Sequence, residues 1–104
     1  MIVATAETIA DRKVVKTLGI ARGNTIRARH LGRDIAAVFR NMIGGEISEY
    51  TKLMGESREQ AIDRMIDQAQ QMGGNAVNGV RLTTSMLMGG AAEIVAYGTA
   101  VVIE

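Results

Sequence analysis

The period of the apolar residues restricts the fold more than any other feature of the sequence, because it changes twice along the chain. Apolar residues alternate with others near both ends, as in strands, and recur every three or four positions in the middle, as in helices. The strand-like segments are residues 2–5, 13–29, 76–87 and 93–103, and the helical segments are residues 34–43, 47–54 and 57–72. This order predicts an α+β fold in which a small, mostly antiparallel sheet, in ββ-αα-ββ order, is covered on one face by helices.

Glycine placement refines this expectation. The chain contains no proline, and three glycine pairs separate the segments: Gly44-Gly45, Gly73-Gly74 and Gly89-Gly90. Glycine tolerates positive φ, so these pairs are expected to end helices or turn hairpins. Ser57 and Gln60 match a capping box and predict a helix start, and Gly23-Asn24 predicts a bulge or bend in the second strand. The segment 93–103 is apolar on both faces, which predicts a strand in the centre of the sheet or beneath a partner.

Length and composition exclude several function classes. A chain of 104 residues is expected to form a single domain, residues 1–104. No apolar run is long enough to span a membrane and no signal-peptide pattern follows Met1, so we expect a cytoplasmic protein without a membrane partner. The chain has no cysteine, which excludes disulfides and thiolate metal sites. Its net charge of +1 gives no indication of a nucleic-acid partner.

Charge is distributed unevenly along the chain. Residues 1–40 carry eight basic and three acidic residues, whereas residues 41–104 carry four basic and eight acidic ones. The two parts could pair within one subunit. Alternatively, a basic edge of one subunit meets an acidic edge of the next in a head-to-tail homo-oligomer.

An acidic group and a basic group flank the first predicted helix. Glu46, Glu49 and Tyr50 follow a glycine pair that would let a ligand approach closely, although acids near a helix N-terminus are also stabilising by themselves. The basic cluster, defined as Arg27, Arg29, His30 and Arg33, could bind a phosphate or carboxylate group, or form the basic half of a contact between subunits.

Two further patterns could bind metal. Glu59, Asp63 and Asp67 lie four residues apart and share one helix face, so they could hold a hard cation or could simply face solvent. Met86 and Met88 place two thioethers on one side of a strand, where they could bind Cu(I) or fill the core.

The last two strands carry Arg81, Glu93 and Tyr97. If the chain turns near Gly89-Gly90, Arg81 and Glu93 are expected to lie within cross-strand range of each other. They could form a structural ion pair, or they could contact a ligand together with Tyr97.

Several residue strings follow one another along almost the whole chain. They are Gly44-Gly45-Glu46, Tyr50-Thr51, Arg58, Ala61, Gly73-Gly74-Asn75-Ala76-Val77, Arg81, Glu93-Ile94 and Ala96-Tyr97-Gly98-Thr99-Ala100-Val101. In these strings the chain resembles the YbjQ-like family of small bacterial and archaeal proteins, and the last string is the most specific. The resemblance implies that Gly44, Gly45 and Gly98 belong to the family's motif backbone. It also implies a closed homo-oligomeric ring, a pentamer, and a family label of heavy-metal binding.

Residues and resemblance together favour a ring-forming, non-enzymatic protein that binds a small ligand or a divalent or heavy-metal cation. The candidate ligand or metal residues are Glu46, Glu49, Tyr50, Arg81, Glu93 and Tyr97. Soft metals prefer thiolate and imidazole, so a metal site here would rest on carboxylates, Tyr50 or methionines. Two alternatives stay open: a purely structural assembly module without a ligand, and an enzyme in which Glu46 and Glu49 act as acid and base.

Overall fold

A computed structural model describes residues 1–27, 48–86 and 91–104 of the chain. In chain order they form β1 (Ile2–Val3), β2 (Val14–Arg27), α1 (Ser48–Gln71), β3 (Ala76–Met86) and β4 (Ala92–Ile103). The strands make one mixed sheet in the order β1-β3-β4-β2; β1 and β3 are parallel, and the other two pairings are antiparallel. The predicted α+β class, the mostly antiparallel sheet and the helix on one sheet face are therefore confirmed.

Helix α1 joins the two segments that the sequence pattern separates at Ser57, so the predicted helix start at this residue is wrong. Ser57 is 1% exposed, and its Oγ donates a 2.9 Å hydrogen bond to the carbonyl oxygen of Leu53, one turn earlier. A serine whose hydroxyl is satisfied in this way can lie inside a helix. The described part of the chain therefore contains one helix in place of the predicted pair of helices, while the predicted helix over residues 34–43 lies outside the described residues.

The glycine pair after α1 ends the helix as predicted. Gly73 has a φ of +94°, which a residue with a side chain rarely adopts. The amide of Gly74 then donates a 2.9 Å hydrogen bond to the carbonyl oxygen of Ala69. Together these features satisfy the free carbonyl groups at the helix C-terminus and direct the chain into β3.

The helix lies unusually close to the sheet where small residues meet. Ala61, Met65 and Ala69 of α1 are fully buried against strand residues that include Ala21 and Ala96. At Gly23 an added Cβ would collide with the backbone of α1. The pairing of β2 with β4 is unbroken around Gly23, and its register shifts lie earlier, before residue 19. The bulge or bend predicted at Gly23-Asn24 is therefore wrong, because the glycine is needed for helix packing.

Strand β4 lies inside the sheet, between β3 and β2, as its two apolar faces predict. Ile94 and Ala96 belong to the core beneath α1. Val101 and Ile103 form a second cluster with Ala76, against which Ile2 and Ile9 pack. We call residues 1–13 the N-terminal segment, and the sheet face opposite α1 the open face; the segment covers one end of that face.

The outer edge of β2 is partly closed by side chains from the helix. The backbone amide of Arg22 donates a 2.6 Å hydrogen bond to Gln68 Oε1, and Arg64 Nη1 donates one of 2.6 Å to the carbonyl oxygen of Asn24. These bonds satisfy backbone groups that β4 does not reach, since β2 is the last strand of the sheet. No helix among the described residues is long and apolar enough to cross a membrane.

Candidate functional site

A bulge in β3 determines which side chains face the open side of the sheet. Asn78 pairs with Thr99 and Arg81 pairs with Tyr97, so β3 contains one residue more than β4 between these pairs. Gly79 provides the backbone conformation that the bulge requires, with a φ of +64°. Because of the extra residue, Asn78 and Arg81 both lie on the open face although three positions separate them, while Val80 is buried in the core beneath α1. The sequence signal was a single glycine inside a strand, which the sequence analysis missed.

Asn78 is a buried polar residue at this bulge, with an exposed fraction of 4%. Its Nδ2 donates a 3.2 Å hydrogen bond to the carbonyl oxygen of Glu7 in the N-terminal segment, which assigns the orientation of the amide. Its Oδ1 is buried and has no hydrogen-bond partner in the described part of the chain. Leaving such an acceptor unsatisfied costs about 1–3 kcal/mol, so a donor that reached it would be strongly favoured.

Arg81 links the same strand to the N-terminal segment. Its Nη1 donates hydrogen bonds of 2.9 Å to the carbonyl oxygen of Thr5 and 2.8 Å to that of Val80. Both bonds use one nitrogen, which leaves the donors on Nε and Nη2 without a partner among the described residues. A guanidinium group held in this way is suited to bind a carboxylate or another oxyanion through two parallel bonds.

The bulge, β4, β2 and the N-terminal segment border a half-open cleft of about 360 Å³ on the open face. In the described part of the chain, the polar residues that line the cleft are Glu7, Thr17, Asn78, Arg81 and Thr99. The apolar residues with side chains that line it are Val14 and Val101. The cleft therefore combines a carboxylate, a guanidinium group, an amide and two hydroxyls. Such a set can bind a small polar molecule that carries both a hydrogen-bond donor and a negative charge.

The candidate residues of the last two strands do not all come together. Arg81 and Tyr97 are cross-strand partners, and Tyr97 is 39% exposed. Glu93 instead pairs with Ser85 and accepts a 3.1 Å hydrogen bond from Asn24 Nδ2 through its Oε2. The expected cross-strand contact between Arg81 and Glu93 is therefore wrong, because the register of the hairpin places Glu93 four residues from the partner of Arg81.

Gly98 has a packing role next to the bulge. An added Cβ would lie 2.7 Å from Val77 Cγ1 and 2.9 Å from the carbonyl oxygen of Asn78. The glycine therefore lets β4 approach β3 where the bulge begins. It also supports the position of Asn78 at the end of the cleft.

Other predicted site residues lie outside the described part of the structure. These are Gly44, Gly45 and Glu46, the side chains of Glu49 and Tyr50, the side chain of Arg27, Arg29, His30 and Arg33, and Met88 of the predicted thioether pair. The candidate acid–base pair and the basic cluster therefore stay as predictions.

A metal site is not supported by the described residues. No group of three or more His, Cys, Asp or Glu side chains is gathered among them. Glu59, Asp63 and Asp67 are exposed along α1, and Met86 is 73% exposed at the end of β3. Soft metals prefer thiolate and imidazole ligands, but the chain has no cysteine, and its single histidine lies outside the described residues. The donors in the described part of the chain do not fit a heavy-metal ion.

Comparison with known proteins establishes the family. The sequence model of the YbjQ family, described as "Putative heavy-metal-binding", matches residues 1–104. The chain belongs to the YbjQ-like family. The YbjQ-like chain is also 57% identical over 103 residues to a UPF0145 protein of Methanosarcina acetivorans, which covers 99% of this chain and 97% of that protein. A UPF0145 protein of Pyrococcus furiosus is 53% identical over 104 residues, which cover 100% of this chain and 91% of the relative.

A solved structure shares the YbjQ-like fold. The crystal structure of a protein of unknown function from Pediococcus pentosaceus, assigned to the DUF74 family, superposes with a TM-score of 0.66. The superposition covers 100% of this chain and 98% of that one at 13% sequence identity. At this identity the comparison supports the fold alone.

Proposed function

We propose that this YbjQ-like protein is a non-enzymatic homo-oligomer that binds a small polar ligand in the cleft beside Arg81. The observation that carries the proposal is the cleft itself, in which five polar side chains surround about 360 Å³. This volume falls within the range of about 300–1,000 Å³ typical of small-molecule sites. A purely structural module needs no recess lined by polar residues, so the half-open polar cleft favours ligand binding.

The chemistry of the described lining residues supports binding over catalysis. Glu7 is the single carboxylate among them, and the remaining polar groups are hydroxyls, an amide and a guanidinium group. Acid–base catalysis by two carboxylates would need a second acidic group within reach of the same ligand. The described residues supply hydrogen bonds and charge complementarity instead.

Assembly is supported by exposed apolar residues on the open face. Ile20 is 69% exposed and Ile26 is 56% exposed, and Arg22 lies between them on β2. Large exposed aliphatic side chains on one face of an edge strand are a feature of interaction surfaces. We propose that this part of β2 packs against a second copy of the chain.

Charge complementarity suggests which surface of the second copy is involved. Asp63 and Asp67 are exposed on α1, and among the described residues no ion pair joins the acidic helix to the basic strand. A contact between the β2 surface around Arg22 and the acidic side of α1 in the next subunit would use both charges. A head-to-tail contact of this kind produces a ring when the rotation from each subunit to the next brings the last subunit back to the first. The family resemblance suggests that this ring is a pentamer.

Native mass spectrometry of protein purified without chelator or affinity metal tests the proposal, with elemental analysis of the same sample. We expect one closed oligomer that carries a small organic mass and no stoichiometric metal. Arg81→Gln should lose the extra mass and keep the oligomer, whereas Lys52→Gln, which removes a charge on the helix away from the cleft, should keep both. A monomer would contradict the assembly, and stoichiometric metal or a bare oligomer would contradict the ligand.

A further inference from the structure

We propose that the ligand of the cleft is a free α-amino acid, with its ammonium group bound by Asn78 and Glu7 and its carboxylate bound by Arg81. This inference rests on the proposed function, because it names the ligand class of the same cleft. It follows from three features: an amide acceptor without a partner, a guanidinium group with free donors, and an acidic residue, Glu7, that lines the same cleft.

The amide of Asn78 requires a donor from the ligand. Its Nδ2 is bound to the carbonyl oxygen of Glu7, so its Oδ1 is the group left to be satisfied. The terminal torsion of asparagine is soft, so a small rotation can turn Oδ1 toward the cleft at low torsional cost. The same rotation lengthens the 3.2 Å bond from Nδ2 to the carbonyl oxygen of Glu7, and the ligand's donor to Oδ1 offsets that loss. An ammonium group offers three donors, so one of them can reach Oδ1 while the others bind neighbouring acceptors.

Arg81 determines which chemical group the other end of the ligand carries. Its bonds to the carbonyl oxygens of Thr5 and Val80 fix the guanidinium group, and the free Nε and Nη2 donors form the fork that a carboxylate accepts. Asn78 and Arg81 flank the bulge on the same strand, so both groups line one cleft. The hydroxyl of Thr99, which pairs with Asn78, can bind either end.

Glu7 selects against other anions. A carboxylate in the same cleft repels a phosphate or a dicarboxylate and attracts a positive group, so the guanidinium and carboxylate together favour a ligand with no net charge. A lone cation would leave the free donors of Arg81 unpaired, and an apolar molecule would satisfy neither these donors nor Asn78 Oδ1. A zwitterion satisfies both charges, and an amino acid fits within about 360 Å³.

The test is a binding experiment on the full chain that compares amino acids with compounds carrying only one of their two charged groups. Each of the twenty L-amino acids is tried in a thermal-shift experiment, and those that raise the melting temperature are measured by isothermal titration calorimetry. Acetate, methylammonium and inorganic phosphate are measured in parallel. We expect at least one amino acid to bind, and acetate and methylammonium to bind at least about tenfold more weakly, since each lacks one charged contact.

Variants locate the site. Arg81→Gln and Glu7→Gln should each weaken amino-acid binding about tenfold or more. Glu7→Gln keeps the backbone carbonyl that binds Asn78, so it tests the carboxylate even if Arg81→Gln loosens the N-terminal segment. Lys52→Gln removes an exposed charge on α1 outside the cleft and should leave the affinity unchanged.

The outcomes separate this inference from the proposed function. If acetate or phosphate binds as tightly as every amino acid and Arg81→Gln abolishes that binding, the amino-acid inference is wrong and the cleft still binds a small ligand. If no probe binds and the purified oligomer carries no extra mass, both are wrong. Amino-acid binding that neither Arg81→Gln nor Glu7→Gln weakens would overturn the assignment to this cleft.

Discussion

The Nη1 atom of Arg81 donates a 2.9 Å hydrogen bond to the carbonyl oxygen of Thr5, so one side chain of β3 holds the N-terminal segment against the sheet. The next residue of that segment, Ala6, accepts a 2.9 Å hydrogen bond from the amide of Gly79. Arg81 also lines the cleft. The stability of the N-terminal segment and the binding of a ligand in the cleft are therefore expected to be coupled.

We expect Arg81→Gln to loosen the N-terminal segment while the rest of the sheet stays folded. The substitution removes two hydrogen bonds from a charged donor to backbone carbonyls, and at this exposed position we expect a loss of about 1 kcal/mol in the free energy of unfolding. Hydrogen–deuterium exchange should increase over residues 2–9 and stay unchanged in α1. The matched control is Lys52→Gln; equal exchange over residues 2–9 in both variants would contradict the coupling.

Substitution by leucine should destabilise the fold at Asn75, in the turn before β3, and leave its stability nearly unchanged at Asn78, inside β3. Asn75 exchanges two hydrogen bonds with the backbone of Ile103, of 2.9 Å and 2.8 Å, so Asn75→Leu should lower the free energy of unfolding by about 1–2 kcal/mol. Asn78→Leu loses one bond but also removes the unsatisfied Oδ1. Its free energy of unfolding should stay within about 1 kcal/mol of the original.

Urea denaturation of the two leucine variants measures this difference, and calorimetry measures ligand binding in the same samples. If Asn78 contacts the ligand, the Asn78→Leu variant should fold and fail to bind the amino acid. The Asn75→Leu variant should bind the amino acid normally under conditions in which it is folded. A large loss of stability in Asn78→Leu would show instead that the buried amide supports the fold.

Two glycine-to-alanine substitutions should change stability in opposite directions. At Gly23 an alanine Cβ would collide with the backbone oxygen of Ala61 and the backbone nitrogen of Met65, so Gly23→Ala should cost about 3 kcal/mol. At Gly55, inside α1, the Cβ would lie 3.7 Å from Arg58 Nη2, an ordinary contact. Gly55→Ala should therefore stabilise the helix by about 0.5–1 kcal/mol. Thermal unfolding of both variants measures the two changes in stability. If Gly23→Ala has the melting temperature of the original protein, α1 can move away from β2.

Charge reversal tests the proposed contact between subunits. Arg22→Glu on β2 and Asp63→Lys on α1 should each weaken assembly, because each places like charges opposite one another. The double variant should recover part of the loss if the two side chains meet across the interface. Analytical ultracentrifugation at low and high salt measures the association. Full assembly of both single variants would exclude this pair of surfaces. Arg29→Glu tests the basic cluster in the same way.

Local patterns in the sequence predicted the elements well. The two-sided apolar pattern of residues 93–103 identified the central strand, and Gly73-Gly74 marked the end of the helix. Ser57 was misassigned because its pattern fits a helix start, and only the bond to the Leu53 carbonyl shows that the helix continues.

The site was harder to predict, because it depends on register and on residues far apart in the chain. The extra residue at Gly79 reverses the alternation of β3, so that Asn78 and Arg81 face the same side of the sheet although three positions separate them. Glu7 and Thr99 line the same cleft although 92 positions separate them. Such a contact follows from the path of the N-terminal segment across the sheet, for which no local pattern exists.

The bonds from Gln68 and Arg64 to the outer edge of β2 bear on how this chain avoids aggregation. A strand of 14 residues at a sheet edge can act as a template for a foreign strand. Here two helix side chains occupy the middle of that edge, so a foreign strand must first displace α1. Undocking of the helix, and not fraying of the sheet, is then the event that makes the folded chain prone to aggregation, and the close packing at Gly23 protects against it.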